Sequence, residues 1–62
     1  MPHVQVTLLQ GRSTDQKRKL VTRITDALVE ECNATRDAIT VAIVEVPKED
    51  FARGGTLVAD RK

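Results

Sequence analysis

The chain has no tryptophan, no tyrosine and a single phenylalanine, Phe51. That leaves no stacking platform for single-stranded bases. Charge of one sign is also missing: ten Lys and Arg stand against nine Asp and Glu, mixed along the chain. A nucleic-acid-binding domain is clearly basic, so no nucleic-acid partner is expected. Cys32 is the one cysteine, which rules out an internal disulfide. With one histidine and one cysteine, the chain is far from the four ligands of a structural zinc site. No metal and no cofactor are expected. No apolar run approaches the ~20 residues of a membrane span, and no basic-then-apolar leader precedes the first strand. The expectation is a soluble, cytoplasmic protein in a reducing compartment, without a membrane partner.

At 62 residues the chain reads as one domain, residues 1–62. A domain this small buries only roughly 60% of its unfolded surface and is marginal alone. Disulfides, metals and oligomerisation are the usual remedies. With the first two excluded, oligomerisation remains.

What is present begins at the N-terminus. Pro2 follows the initiator Met1, and bacterial-type processing normally removes Met before so small a residue. Pro2 would then carry a free secondary amine, a base and a nucleophile. Inside a chain the same nitrogen is an amide with no N–H. Residues 2–9 read as a first strand, with Val4, Val6 and Leu8 on one face and His3, Gln5, Thr7 and Leu9 on the other. An amine leading into a strand is held still, unlike most termini.

After the turn Gln10-Gly11-Arg12, Ser13 and Gln16 form a capping box, and Asp15 suits the helix dipole. Leu20, Val21, Ile24, Ala27, Leu28 and Cys32 describe one helical stripe, predicting a helix over 14–31. Asn33 fits a left-handed helix end, and residues 34–38 a short connection. The β-branched run 39–46 fits a strand covered on both faces, closed by Pro47. The reading is α/β: a βαβ unit with a right-handed crossover. Lys48-Glu49-Asp50 is a polar turn, and Gly54-Gly55 signals a short hairpin within 51–58. Asp60-Arg61-Lys62 reads as a loose tail. One helix covers one sheet face; the face bearing Gln5, Thr7 and Leu9 is bare, which also calls for a partner.

These residues together resemble the 4-oxalocrotonate tautomerase family, nearly end to end. The resemblance rests on Pro2 after Met1, on Leu9-Gln10-Gly11-Arg12-Ser13-Thr14-Asp15-Gln16-Lys17, on the β-rich second run, and on Phe51 before Gly54-Gly55. The family's pattern at the second of these is Leu-Glu-Gly-Arg-Ser/Thr-x-Glu-Gln-Lys. The resemblance implies a cofactor-free tautomerase acting on a small carboxylate such as 2-hydroxymuconate. It implies a homohexamer built as a trimer of dimers, in which two βαβ protomers share a four-stranded sheet. Carried over by position, it makes Pro2 the general base and Arg12 the cation for a substrate carboxylate. Phe51 becomes the apolar wall and Leu9 a lesser contact. The best-known members have a second arginine at the start of the second strand, where Thr40 stands here. Arg53 stands where they have an apolar residue, and is read as a replacement cation.

The chemistry suits those groups. Ketonising a 2-hydroxydienoate removes one proton and returns it elsewhere, which one base can do if its pKa is near the working pH. An α-amine starts near ~8 and a secondary amine somewhat higher. Burial beside Phe51 and the charge of Arg12 both disfavour the protonated amine. The same cation stabilises negative charge on the substrate oxygen.

Other readings stand beside these. Phe51 is also a natural interface anchor. His3 reads as a strand side chain at an interface, or as a residue that tunes the amine. Cys32 reads as a small buried hydrophobe, and the charges from Lys17 to Arg23 as a solvated helix face. Gly54-Gly55 is turn geometry, since no strand–loop–helix phosphate site surrounds it. A haloacrylate dehalogenase or hydratase would need Glu45 or Asp50 to activate water. A non-catalytic subunit of a hetero-oligomer would share the same sequence pattern.

Overall fold

Alternation of apolar and polar residues makes the first strand, β1, His3–Leu9. Val4, Val6 and Leu8 are half-buried, while His3, Gln5 and Thr7 are exposed. The coordinates, a computed structural model, describe residues 1–61. Helix α1 follows at Thr14–Cys32. Its start is set by Ser13, whose Oγ accepts from the Gln16 N–H at 3.2 Å while Gln16 Oε1 accepts from the Ser13 N–H at 2.9 Å. Two donors that a helix start leaves without partners are thus satisfied. The helix stops at Asn33, which takes the left-handed conformation, φ 54° and ψ 34°.

A 3-10 turn at Arg36–Ala38 leads into β2, Thr40–Val46. The strands run parallel, with His3 opposite Thr40, Val4 opposite Val41, and so on to Leu9 opposite Val46. Partners in a parallel ladder share a face. Val4 with Val41, Val6 with Ile43 and Leu8 with Glu45 therefore lie on one side. The helix covers this side, as the ion pair of Lys17 with Glu45 at 2.5 Å requires. His3, Gln5, Thr7, Leu9, Thr40, Ala42, Val44 and Val46 lie on the other.

Beyond Pro47 a 3-10 turn, Lys48–Asp50, precedes a two-residue hairpin of β3, Ala52–Arg53, and β4, Thr56–Leu57. Gly54 and Gly55 both have positive φ, 60° and 83°. That is the twist a tight hairpin needs and that side chains with a Cβ resist. A final 3-10 turn spans Val58–Asp60. The hairpin packs on the turn before it, and that turn packs on the one after the hairpin; the Val58 N–H donates to the Phe51 carbonyl at 2.8 Å across the hairpin's base.

The structure revises several sequence expectations. The strands start one residue later than read, at His3 and Thr40, and the helix ends one later, at Cys32. Cys32 and Ala27 are exposed, whereas Val29, absent from the expected stripe, is half-buried. Cys32 lies in the last helical turn, where stripe position no longer brings burial. Lys17 is half-buried and paired, so it does not belong to the solvated face. Asp60 is in a turn and not in a tail; Lys62 lies outside the described residues.

No side chain among the described residues is fully buried. The chain exposes 4937 Å², where area–mass scaling gives a compact monomer of this length about 4000 Å². Its radius of gyration is 14.7 Å, against about 11 Å for a compact chain. The excess area is about the 800 Å² that one partner contributes to a standard protein interface. A βαβ unit with one bare sheet face and an outlying hairpin has half a core.

Candidate active site

Pro2 sits just before β1. Its carbonyl accepts from the Thr40 N–H at 3.1 Å, so the terminal residue is tied to the neighbouring strand. His3 Nδ1 lies 2.6 Å from Thr40 Oγ1, a side-chain bond directly above that backbone bond. Met1 projects from this anchored end, 95% exposed, and is open to an aminopeptidase.

Arg12 is at the opposite end. It follows β1 in the loop that precedes the helix cap, and its Nη1 donates to the Leu9 carbonyl at 3.1 Å. That bond and the Gln10 N–H to Val46 carbonyl bond, 3.0 Å, hold the loop against the strand ends. A hollow of about 270 Å³ opens here, lined by Leu8, Arg12, Gln16, Lys17 and Leu20. Its floor is apolar and its rim carries the Arg12 guanidinium, which suits a small carboxylate, while the Lys17 ammonium beside it is already paired with Glu45. Leu9, the next residue of β1, faces the opposite, bare side of the sheet.

Phe51 and Arg53 belong to the hairpin, which leaves the sheet from this same end after Pro47. Phe51 is 44% exposed, a large apolar side chain without cover in the protomer. Arg53 is exposed on β3.

The five residues singled out from sequence therefore fall into two groups. Leu9, Arg12, Phe51 and Arg53 follow the C-terminal ends of the parallel strands, and Pro2 is at the N-terminal end. Seven steps of ~3.3 Å separate Pro2 from Leu9, about 23 Å. One protomer does not bring Pro2 and Arg12 together. A second copy, set so that the start of one β1 meets the end of another, can do so.

Two further groups were placed differently from their sequence reading. Glu45 is on the helix side of the sheet, held by Lys17 at 2.5 Å, an arrangement that ties the carboxylate instead of offering it to water. Thr40, noted only for lacking a charge, is bonded to both Pro2 and His3. Strand register decides that contact, and nothing in the local sequence announces it. No group of three or more His, Cys, Asp or Glu among the described residues could hold a metal ion. No helix among them is long and apolar enough to cross a membrane.

Comparison with known proteins identifies the family and the fold. Residues 2–61 match the family model described as tautomerase enzyme. A 2-hydroxymuconate tautomerase of Bacillus subtilis is 40% identical over 60 residues, 97% of each chain. Among solved structures, YwhB, a homologue of 4-oxalocrotonate tautomerase, superposes with TM-score 0.95 at 38% identity, covering 98% of this chain and 100% of its own. A heterohexamer 4-oxalocrotonate tautomerase from Chloroflexus aurantiacus superposes with TM-score 0.94 at 29% identity over the whole of both chains.

Proposed function

This chain belongs to the tautomerase family and has its βαβ fold, and from that premise we propose that it is a cofactor-independent enol–keto isomerase whose base is the amine of Pro2. Its substrate is a 2-hydroxymuconate-like unsaturated acid formed in the breakdown of aromatic compounds, and the protein works in the cytoplasm. The observation that carries this reading is the anchoring of Pro2. A residue bonded through its carbonyl to Thr40 at 3.1 Å presents its nitrogen in a fixed place once the exposed Met1 is gone. The Bacillus subtilis relative's activity supports the substrate class.

The proton path needs few groups. The Pro2 nitrogen takes the proton of the substrate's enol hydroxyl. Electrons flow from that oxygen through the conjugated chain to a distant carbon, and the protonated amine returns the proton there. One group serves as base and then acid. Arg12 binds a carboxylate and offsets negative charge as the dienolate forms. Phe51 closes the site to water, Leu9 packs against the substrate's chain, and Arg53 supplies the second cation that Thr40 lacks.

Arg53→Ala is expected to raise KM for a dicarboxylate about tenfold, the order of one charge-assisted contact. A monocarboxylate analogue should be little affected. Equal effects on both substrates, or none on either, would show that Arg53 does not read the second carboxylate.

Since Pro2 and Arg12 are at opposite ends of β1, the working unit is an assembly of copies: a homohexamer, a trimer of dimers with four-stranded sheets. Val44, 40% exposed at the centre of the bare face, is its most direct probe. Sedimentation should give a mass several times that of the chain. Val44→Asp, burying a charge without a partner, should give a lighter or unfolded species. A compact wild-type monomer would refute the assembly.

The defining experiment is ketonisation of 2-hydroxymuconate, followed by ultraviolet absorbance, on protein whose intact mass shows Met1 removed. Rapid loss of the enol absorbance supports the assignment; a rate no faster than buffer rejects it.

A further inference from the structure

We propose that His3 and Thr40 act as a clamp that positions the Pro2 amine, and that the clamp contributes to turnover and not to substrate affinity. The proposal rests on the reading of Pro2 as the base. Thr40 makes two separate bonds to the terminal segment: its N–H donates to the Pro2 carbonyl at 3.1 Å, and its hydroxyl lies 2.6 Å from His3 Nδ1. His3 is directly opposite Thr40 in the ladder. The two bonds flank the residue that carries the amine, one on its carbonyl and one on the side chain that follows.

Chain termini fray, and the last rung of a ladder is its weakest. A base must hold its position to within a fraction of an ångström to be effective. A backbone bond alone leaves the terminal residue free to pivot about that rung. The side-chain bond fixes the next residue against the same partner and removes that freedom. It survives either state of the ring: the threonine hydroxyl donates to a bare Nδ1, or accepts from a protonated one. In both cases His3 Nε2 stays free.

The surroundings suit a neutral clamp. The bare sheet face that His3 shares with Gln5, Thr7, Leu9, Thr40, Ala42, Val44 and Val46 carries no carboxylate or ammonium. The charged residues just before Thr40 are Arg36 and Asp37, and Arg36 is paired with Asp26 on the helix. Threonine at this position thus exchanges a long cation for a short tether.

Thr40→Val keeps the shape and the backbone N–H but removes the hydroxyl; Thr40→Ser restores it. His3→Ala removes the ring, and His3→Asn returns a polar atom at the reach of Nδ1. With 2-hydroxymuconate as substrate, Thr40→Val and His3→Ala are expected to lower kcat about tenfold with KM within about twofold. Thr40→Ser and His3→Asn should recover most of the loss. The oligomeric mass should be unchanged in all four.

A second measurement needs no substrate. Amide hydrogen exchange at Thr40, whose N–H makes the terminal bond, should be about fivefold faster in His3→Ala, the order expected for one lost hydrogen bond.

Unchanged kcat in Thr40→Val and His3→Ala, in protein whose kcat Pro2→Ala lowers, overturns the clamp and leaves the base intact. A Pro2→Ala protein as active as wild type overturns both. Unchanged Thr40 exchange in His3→Ala overturns the clamp whatever the kinetics.

Discussion

Protein that retains Met1 is expected to lose kcat/KM for ketonisation of 2-hydroxymuconate by about 10²- to 10⁴-fold, the usual contribution of a general base. Retention turns the Pro2 nitrogen into an amide while leaving every other atom of the chain in place. Processed Pro2→Ala protein should lose activity in the same direction but less completely. Its N-terminus is still an amine, now primary and without the ring that fixes its direction. The pH–rate profile of kcat/KM adds a second readout, because it reports ionisations of the free enzyme. Processed wild-type protein should show the ionisation of its amine, and the Met1-retaining protein should lack it. If both preparations give the same rate and the same profile, Pro2 has no part in proton transfer.

Arg12→Ala is the second large effect. Loss of a preorganised cation at a site of developing charge is expected to lower kcat/KM by about 10²- to 10³-fold. The substitution should leave the fold intact, since Arg12 is exposed and its one recorded bond goes to the Leu9 carbonyl. The more telling result comes from mixing. Pro2 and Arg12 are at opposite ends of a seven-residue strand, so a site holding both draws them from different copies. Pro2→Ala and Arg12→Ala chains, each strongly impaired alone, should therefore regain activity when unfolded together and reassembled. In a random equal mixture about one site in four receives an intact residue from each parent, as closed assemblies of identical interfaces require. Activity near a quarter of wild type supports the shared site. No recovery, from mixtures shown by mass to contain both chains, would place base and cation in one protomer and contradict the geometry of β1.

The hairpin is the outlying part of the protomer. Phe51 and Arg53 ride on a segment whose main packing is on the turn that precedes it, so the place proposed for them depends on what the arm meets in a neighbouring copy. Arm, bare sheet face and split site point the same way.

Much of this molecule was legible in its residues. The alternation from Val4 to Leu8 set the first strand and its two faces, because strand side chains alternate with period two. Ser13, Gln16 and Asn33 marked the ends of the helix, since capping is a short-range matter of hydrogen bonds within four residues. Gly54-Gly55 located the hairpin through its need for positive φ. The family itself was legible in the pattern that Pro2, Leu9 to Lys17 and Phe51 with Gly54-Gly55 make together.

Other features depended on contacts between residues far apart in the chain. The bonds of Thr40 to Pro2 and His3 exist because the strands pair in one register and not its neighbour. Lys17 looked like a solvated charge until the fold set Glu45 beneath it. Cys32 and Val29 exchanged their expected exposures because burial depends on where the sheet lies under the helix, not on helical phase alone. Most consequentially, the separation of Pro2 from Arg12 follows from the straightness of β1, a length that no motif encodes. Local rules act through backbone geometry over a few residues and can be read along the chain; the composition of the site is set by distances across it, which only the folded strands determine.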